Sequence, residues 1–120
     1  LAQWEFDVLA ALRRAGEPFE LTPGRLVAET HVSSGTMTHR LDRLTERGLV
    51  ERRGSDGDRR IVLVSLTHAG RMRVDAAVAV LVQSERELLS SLSHDEAAGL
   101  AGLLRTVLRT YENDQAEPSR

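Results

Sequence analysis

Cysteine and lysine are both absent from this sequence of 120 residues. Without a thiol, disulfides, thiolate metal sites and cysteine-based redox sensing are all excluded. Only four residues are aromatic, so leucine, valine and alanine have to build the core. No apolar run approaches the roughly 20 residues that a membrane-spanning helix needs, and no segment resembles a signal peptide. These absences predict a soluble, cytoplasmic protein, and the length fits one compact domain.

Charge is distributed unevenly along the chain. The formal net charge is −2, but residues 22–73 carry ten arginines against six acids, and both flanking segments are acidic. A basic middle between acidic ends indicates an anionic partner for the middle and another role for the ends. An ordinary solvated surface is the alternative explanation, and charge alone does not decide between the two.

Apolar periodicity and helix caps predict a mainly α protein with a small β-hairpin. In chain order the predicted elements are a helix over residues 1–15, an edge strand at 19–21, a short helix beginning after Thr22, a helix over 33–47, strands at 49–53 and 61–66, and helices over 67–91 and 94–112. Ser33 or Ser34 is expected to cap the third helix, and Ser93 with Glu96 forms a capping box before the last one. Residues 54–58 have the composition of an exposed hairpin tip.

The helix over residues 33–47 is the strongest candidate for a binding surface. One side carries the apolar residues, Met37, Leu41 and Leu44, and the opposite side carries the small and polar ones, Gly35, Thr36, His39, Arg43, Glu46 and Arg47. In a helix-turn-helix followed by a hairpin, this helix enters the major groove of DNA. There Arg43 would hold guanine O6 and N7 through two hydrogen bonds, and Thr36 and His39 would meet base edges or phosphates. A polar face that meets only water is the alternative.

Arginines also crowd the predicted hairpin, as Arg52, Arg53, Arg59 and Arg60. An arginine at a hairpin tip suits the narrow minor groove, where the negative potential is strongest. Asp58 lies among these arginines, and we interpret it as a pairing partner that holds one of them in position. Solvated charges are the alternative explanation for each arginine.

Three segments carry a resemblance to a known family, namely residues 4–9 (WEFDVL), 33–44 (SSGTMTHRLDRL) and 47–52 (RGLVER). A wing signature follows them, with Asp58, Arg60, Leu66-Thr67 and Gly70. With these motifs the chain resembles the MarR family of bacterial transcription regulators over nearly its whole length. Members of that family carry a further helix ahead of the one that opens this sequence.

The resemblance implies a winged helix-turn-helix DNA-binding lobe at residues 1–66, two long C-terminal dimerisation helices at 67–112, and a frayed tail at 113–120. It implies DNA contacts from the recognition helix at Ser34, Gly35, Thr36, Thr38, His39 and Arg43, and from the wing at Asp58, Arg59 and Arg60. The implied protein is a repressor that binds double-stranded DNA at a palindromic promoter site as a homodimer. A small lipophilic or phenolic effector would release it, and no cofactor, metal or membrane is implied.

Two other classes of protein are alternatives. An enzyme is disfavoured because the four histidines are scattered without metal-ligand spacing, and neither a glycine-rich phosphate loop nor a nucleophile elbow is present. A winged helix used only for contacts between proteins is disfavoured because phosphate neutralisation explains the arginines directly. The sequence therefore favours a DNA-binding regulator that is not an enzyme.

Overall fold

The computed structural model describes the backbone of residues 1–55 and 58–116, and the side chains of residues 1–54 and 61–114. Its elements are α1 (Gln3–Arg14), β1 (Glu20–Leu21), α2 (Pro23–Thr30), α3 (Ser34–Glu46), β2 (Val50–Ser55), β3 (Asp58–Leu66), α4 (His68–Leu89) and α5 (His94–Ala116). Over the described residues, five helices and three strands confirm the predicted mainly α fold. Each predicted element is present, and its end points differ from the prediction by only a few residues.

Local hydrogen bonds begin the helices at the predicted caps. Thr22 Oγ1 accepts the N–H of Arg25 (3.2 Å) at the start of α2, which satisfies a donor that has no partner inside the helix. Before α5, the Ser93 N–H donates to Glu96 (2.9 Å) and the Ser93 hydroxyl accepts the Glu96 N–H (3.1 Å). The pKa of Glu96 is lowered first by the backbone N–H of Ser93, which donates to the carboxylate, and then by the Ser93 hydroxyl beside it. The predicted capping box is therefore confirmed.

The three strands form one antiparallel sheet in the order β1-β3-β2. β1 lies at the edge, as predicted, and pairs with β3 where Glu20 faces Ser65. β2 pairs with β3 as far as Ser55, which faces Asp58, and a bulge interrupts the register after Gly54. The hairpin therefore extends beyond both predicted strands, because backbone pairing continues into the segment that was predicted as an open tip.

One apolar core joins α1, α2, α3, the sheet and the first turns of α4. Its larger buried members come from all of these elements: Val8, Leu9, Leu12, Leu26, Met37, Leu41, Leu44, Leu49, Val50, Val64 and Val74. The three members from α3 are the ones that the helical pattern assigned to its inner side, which confirms that interpretation. Full burial of such a side chain stabilises a protein by about 1.5–3 kcal/mol. The core therefore holds α3 with its opposite side facing outward.

The start of α4 lies against the segment that connects α3 with β2. Thr67 Oγ1 donates a hydrogen bond to the carbonyl oxygen of Gly48 (2.6 Å) and accepts the N–H of Gly70 (3.0 Å). Gly70 is buried, and a Cβ atom at this position would overlap the backbone of Leu49. Only glycine fits here without a backbone shift, because no other residue type lacks a Cβ.

The chain divides into two compact units, Leu1–Val80 and a second unit that begins at Leu81. The first unit includes the early turns of α4, because Gly70 and Val74 are buried. In its described part the second unit contains the rest of α4 and all of α5, which continues to Ala116 beyond the predicted end at 112. None of the helices in the described ranges combines the length and the apolar character that crossing a membrane requires.

Candidate nucleic-acid interface

The outward face of α3 is open to solvent. All six predicted contact residues on this helix are exposed: Ser34, Gly35, Thr36, Thr38, His39 and Arg43. Gly35 also has open space above it, since a Cβ atom there would meet nothing within 4 Å. Because the inner side of α3 is packed into the core, this face offers hydrogen-bonding groups in a fixed orientation.

Hydrogen bonds in the first turn of α3 determine which hydroxyl proton is available to a ligand. Ser33, not Ser34, is the cap, since its Oγ accepts the N–H of Thr36 (3.1 Å) and donates to Thr36 Oγ1 (2.9 Å). Thr36 therefore keeps its own hydroxyl proton for an outside acceptor such as a phosphate oxygen or a base edge. The hydroxyl of Thr38 instead donates to the Ser34 carbonyl oxygen (2.9 Å). Thr38 consequently offers a ligand only its lone pairs and its methyl group.

His39 and Arg43 lie one helical turn apart on this face, and both are exposed. Among the side chains that the structure describes, Arg43 forms no ion pair or hydrogen bond. Its guanidinium group therefore keeps five N–H donors in a planar fork. That fork matches two acceptors on one guanine edge, so Arg43 is the best-placed described side chain for reading a base.

Two further arginines of α3 make contacts with α1. The guanidinium carbon of Arg40 lies 5.7 Å from the centre of the Trp4 ring, within the range of a cation–π interaction. Arg47, at the C-terminal cap of α3, forms an ion pair with the buried carboxylate of Glu5. The helical pattern assigns Arg47 to the outward face, but its guanidinium pairs with Glu5 because a buried carboxylate is costly without a counter-charge.

Glu5 is a contact residue that the sequence reasoning missed. It lies three, four and seven residues before Val8, Leu9 and Leu12, and therefore on the stripe by which α1 packs into the core. Its side chain is only 8% exposed. An acidic residue on an apolar stripe is the signal that could have identified it, because such a group needs a cationic partner nearby.

The two arginines of β2 also pair with carboxylates. Arg52 Nη1 lies 2.7 Å from Asp42 Oδ1 on α3, and Arg53 Nη2 lies 2.6 Å from Glu20 Oε2 on β1. These ion pairs connect the hairpin with α3 on one side and with the edge strand on the other. Because both charges are compensated within the protein, Arg52 and Arg53 are weaker candidates for phosphate contacts than Arg43 is.

The predicted wing contacts are Asp58, Arg59 and Arg60. Their backbone forms the beginning of β3, next to the end of β2. Their side chains lie outside the described residues, so their contacts remain a prediction from the sequence.

A polar cleft of about 490 Å³ beside α1 and α2 is a weaker candidate for a site. Its charged groups pair with one another, since Arg25 Nε lies 3.2 Å from Glu29 Oε1 and Arg14 Nη2 lies 4.0 Å from Glu29 Oε2. Over the described ranges, no three histidine or acidic side chains group together in a way that could hold a metal ion. The outward face of α3 is therefore the strongest candidate surface in the described part of the chain.

Comparison with known proteins identifies relatives along almost the whole chain. The model of the MarR family matches residues 1–61. The transcriptional regulator PecS of Dickeya dadantii is 37% identical over 115 residues, which cover 96% of this chain and 69% of PecS. The transcriptional repressor NicR of Pseudomonas putida is 32% identical over 113 residues, which cover 94% of this chain and 70% of NicR. The crystal structure of a MarR mutant from Escherichia coli complexed with operator DNA has a TM-score of 0.69 at 36% identity, covering 90% of this chain and 76% of that one.

Proposed function

This chain belongs to the MarR family of transcription regulators, and on that premise we propose that it represses transcription by binding a palindromic promoter site as a homodimer. The observation that carries the proposal is the exposed polar face of α3, on which Arg43 has no partner among the described side chains. A solved relative complexed with operator DNA supports the same use of the fold.

On α3, the proposed contacts divide into two kinds. Arg43 reads one guanine in the major groove of each half-site, because its free guanidinium can donate two hydrogen bonds to O6 and N7. Ser34, Gly35 and Thr36 approach the phosphate backbone or a base edge at the start of the helix, where Thr36 retains its hydroxyl proton. His39 contacts a base edge beside them, and Thr38, whose hydroxyl proton is used inside α3, contributes only an apolar contact through its methyl group.

The wing supplies contacts of a different kind. We propose that Arg60 enters the minor groove, that Arg59 neutralises a phosphate, and that Asp58 orients the wing by pairing with an arginine. The ion pairs of Arg52 with Asp42 and of Arg53 with Glu20 support this role, because they tie the strand that carries the wing to the rest of the lobe.

The second unit supports dimerisation. Large apolar side chains on its helices are exposed in the single chain: Leu81, Leu88, Leu100, Leu103, Leu104, Val107, Leu108 and Tyr111. A groove of about 370 Å³ between α4 and α5 is lined mainly by such residues. Monomeric proteins rarely leave an apolar surface of this kind uncovered, and a two-fold dimer is the commonest closed assembly. We therefore propose that residues 1–66 bind DNA and that residues 67–112 dimerise through their part beyond Val80, since the first turns of α4 are packed in the first unit. The two-fold symmetry would match a palindromic site.

Release from DNA follows from non-covalent binding of a small lipophilic or phenolic effector. The chain has no cysteine, so thiol oxidation is not available as a signal. An effector shifts the equilibrium between two conformations of the dimer only if it binds one of them more tightly than the other. We propose that it favours a dimer in which the spacing of the two recognition helices does not match the half-sites.

The test compares Arg43→Ala with Arg60→Ala on an operator and on its single-base variants. Arg43→Ala should cost about 1–3 kcal/mol and relax the preference at one base pair of each half-site. Arg60→Ala should weaken binding to all of these duplexes by a similar factor and lower the salt dependence by about one counterion per subunit. Arg14→Ala, which removes an exposed arginine of α1 outside the proposed DNA-binding and dimerisation surfaces, is the matched control and should bind as the wild type does.

Two results would contradict the assignment. If Arg60→Ala changed base preference while Arg43→Ala weakened all duplexes equally, the roles of helix and wing would be reversed. If the wild-type protein shifted no genomic DNA fragment in a gel, a role limited to contacts between proteins would be the better interpretation.

A further inference from the structure

We propose that the first turn of α1 positions the recognition helix, with Glu5 and Trp4 holding α3 through Arg47 and Arg40. The proposal rests on the DNA-binding function proposed above. It assigns these two arginines to the internal support of α3 instead of to DNA, and it makes Glu5 a positioning residue for base recognition.

The contact at Glu5 is strongly constrained. The residue is 6% exposed, and its Oε1 accepts the N–H of Ala2 (3.0 Å) at the start of α1. Its Oε2 pairs with the guanidinium of Arg47 at the end of α3. A carboxylate in such a place is tolerated only with a counter-charge, so moving Arg47 away would leave a buried charge unpaired. The pair therefore restricts where the C-terminal end of α3 can lie.

Trp4 provides the second contact, from the neighbouring position on α1. The guanidinium of Arg40 lies over its ring at 5.7 Å from the centre. Arg40 and Arg47 are seven residues apart, which places them almost in line along α3, two turns from each other. Two contacts in line fix the rotation of α3 about its axis as well as its tilt. Arg43 lies between them in sequence and is left exposed.

Accurate positioning matters more for reading bases than for binding phosphates. Two hydrogen bonds to one guanine edge require the donors to lie within about 0.5 Å and 10–20° of the correct geometry. Attraction to the phosphates depends on charge and tolerates larger displacements. Loss of the Glu5–Arg47 contact should therefore reduce the preference for the correct sequence and leave the number of neutralised phosphates unchanged.

The experiment is a double-mutant cycle with Glu5→Gln, Arg47→Met and the double variant, and Arg43→Ala is the comparison variant. Glutamine keeps an acceptor for the Ala2 N–H, removes the charge, and replaces the oxygen that pairs with Arg47 by an NH2 group. The probes are a duplex that the wild-type protein selects from random-sequence DNA and a scrambled duplex of equal length. Dissociation constants are measured at several salt concentrations, at a temperature where thermal unfolding shows every variant to be folded.

We expect each single variant to lose about tenfold in preference for the selected duplex, with an unchanged salt slope. The double variant should lose no more than either single variant, because the two residues act through one contact. The fluorescence of Trp4, the single tryptophan of the chain, gives an independent signal. Glu5→Gln should shift its emission because α3 moves relative to the ring, whereas Arg43→Ala should not.

The proposal is overturned if Arg47→Met lowers the salt slope by about one per subunit and weakens both duplexes alike, since Arg47 would then be a phosphate contact. It is also overturned if Glu5→Gln and Arg47→Met both keep the wild-type preference. Should Glu5→Gln fail to fold, the salt slope of Arg47→Met decides alone. If Arg43→Ala loses base preference while the Glu5 and Arg47 variants keep it, DNA binding stands and only this inference fails. A wild-type protein that selects no duplex would instead refute the proposed function.

Discussion

Replacing Gly70 with alanine probes how closely α4 approaches the segment after α3. An added Cβ atom would lie 3.0 Å from the carbonyl carbon of Leu49 and closer still to its oxygen. The same oxygen accepts the N–H of Thr67 (3.2 Å). The obstacle is backbone, which cannot rotate away as a flexible side chain can. The methyl group therefore fits only if Leu49 moves, and Leu49 is part of the core.

Two opposing contributions determine the size of the effect. Alanine in place of glycine favours a helix by about 0.5–1 kcal/mol, because the unfolded chain loses conformational freedom. Overpacking a buried site costs about 1–3 kcal/mol, and weakening the bond between Thr67 and Leu49 costs about 0.5–1.5 kcal/mol more. We therefore expect Gly70→Ala to lower the free energy of unfolding by about 0.5–4 kcal/mol.

Urea unfolding followed by circular dichroism measures this change. Gly99→Ala is the matched control, because Gly99 is also helical and a Cβ atom there meets nothing within 4 Å. The control should be as stable as the wild type or more stable, by up to about 1 kcal/mol. An unchanged or higher urea midpoint for Gly70→Ala would refute the argument from close approach, and so would an equal loss in both variants.

Three further outcomes are expected. Thr36→Val should weaken operator binding about tenfold or more, because it removes a hydroxyl proton that is not used inside α3. Thr38→Val should bind nearly as the wild type does, because the Thr38 hydroxyl already donates to a backbone carbonyl of α3. Equal losses for the two variants in a titration of operator DNA would contradict this. Leu103→Glu should yield monomers in sedimentation velocity without loss of helix, since this side chain is 69% exposed in the single chain; a persistent dimer would argue against the assigned interface. Ser93→Ala should raise the pKa of Glu96 part of the way to its ordinary value of 4.5, because the Ser93 hydroxyl is lost whereas the Ser93 backbone N–H, the larger cause of the lowered pKa, remains. The Glu96 carboxylate stabilises α5 fully above pH 4.5, and this stabilisation disappears as the pH falls through the lowered pKa. An NMR titration of Glu96 in the wild type and in Ser93→Ala measures the change in pKa, and identical titration curves would exclude the hydroxyl as a cause.

Signals between near neighbours in the sequence determined the elements of this protein and the outward side of α3. The cap at Thr22 and the capping box of Ser93 with Glu96 depend on groups three residues apart, so they could be predicted without knowledge of the fold. The inner side of α3 follows from the helical spacing of Met37 and Leu41 in the same way. The family resemblance rested on motifs of this local kind as well.

Only the tertiary structure decided which charges meet. Arg47 turns to Glu5, which is 42 residues earlier in the chain, and Arg53 turns to Glu20, which is 33 residues earlier. A helical pattern gives the direction of a side chain around one axis, but it does not contain the neighbour that packs against that axis. The close approach of Gly70 to the connection after α3 was hidden for the same reason. Residues far apart in sequence become partners only when the core brings their elements together. That arrangement paired Arg47 with Glu5, whereas Arg43 has no partner among the described side chains.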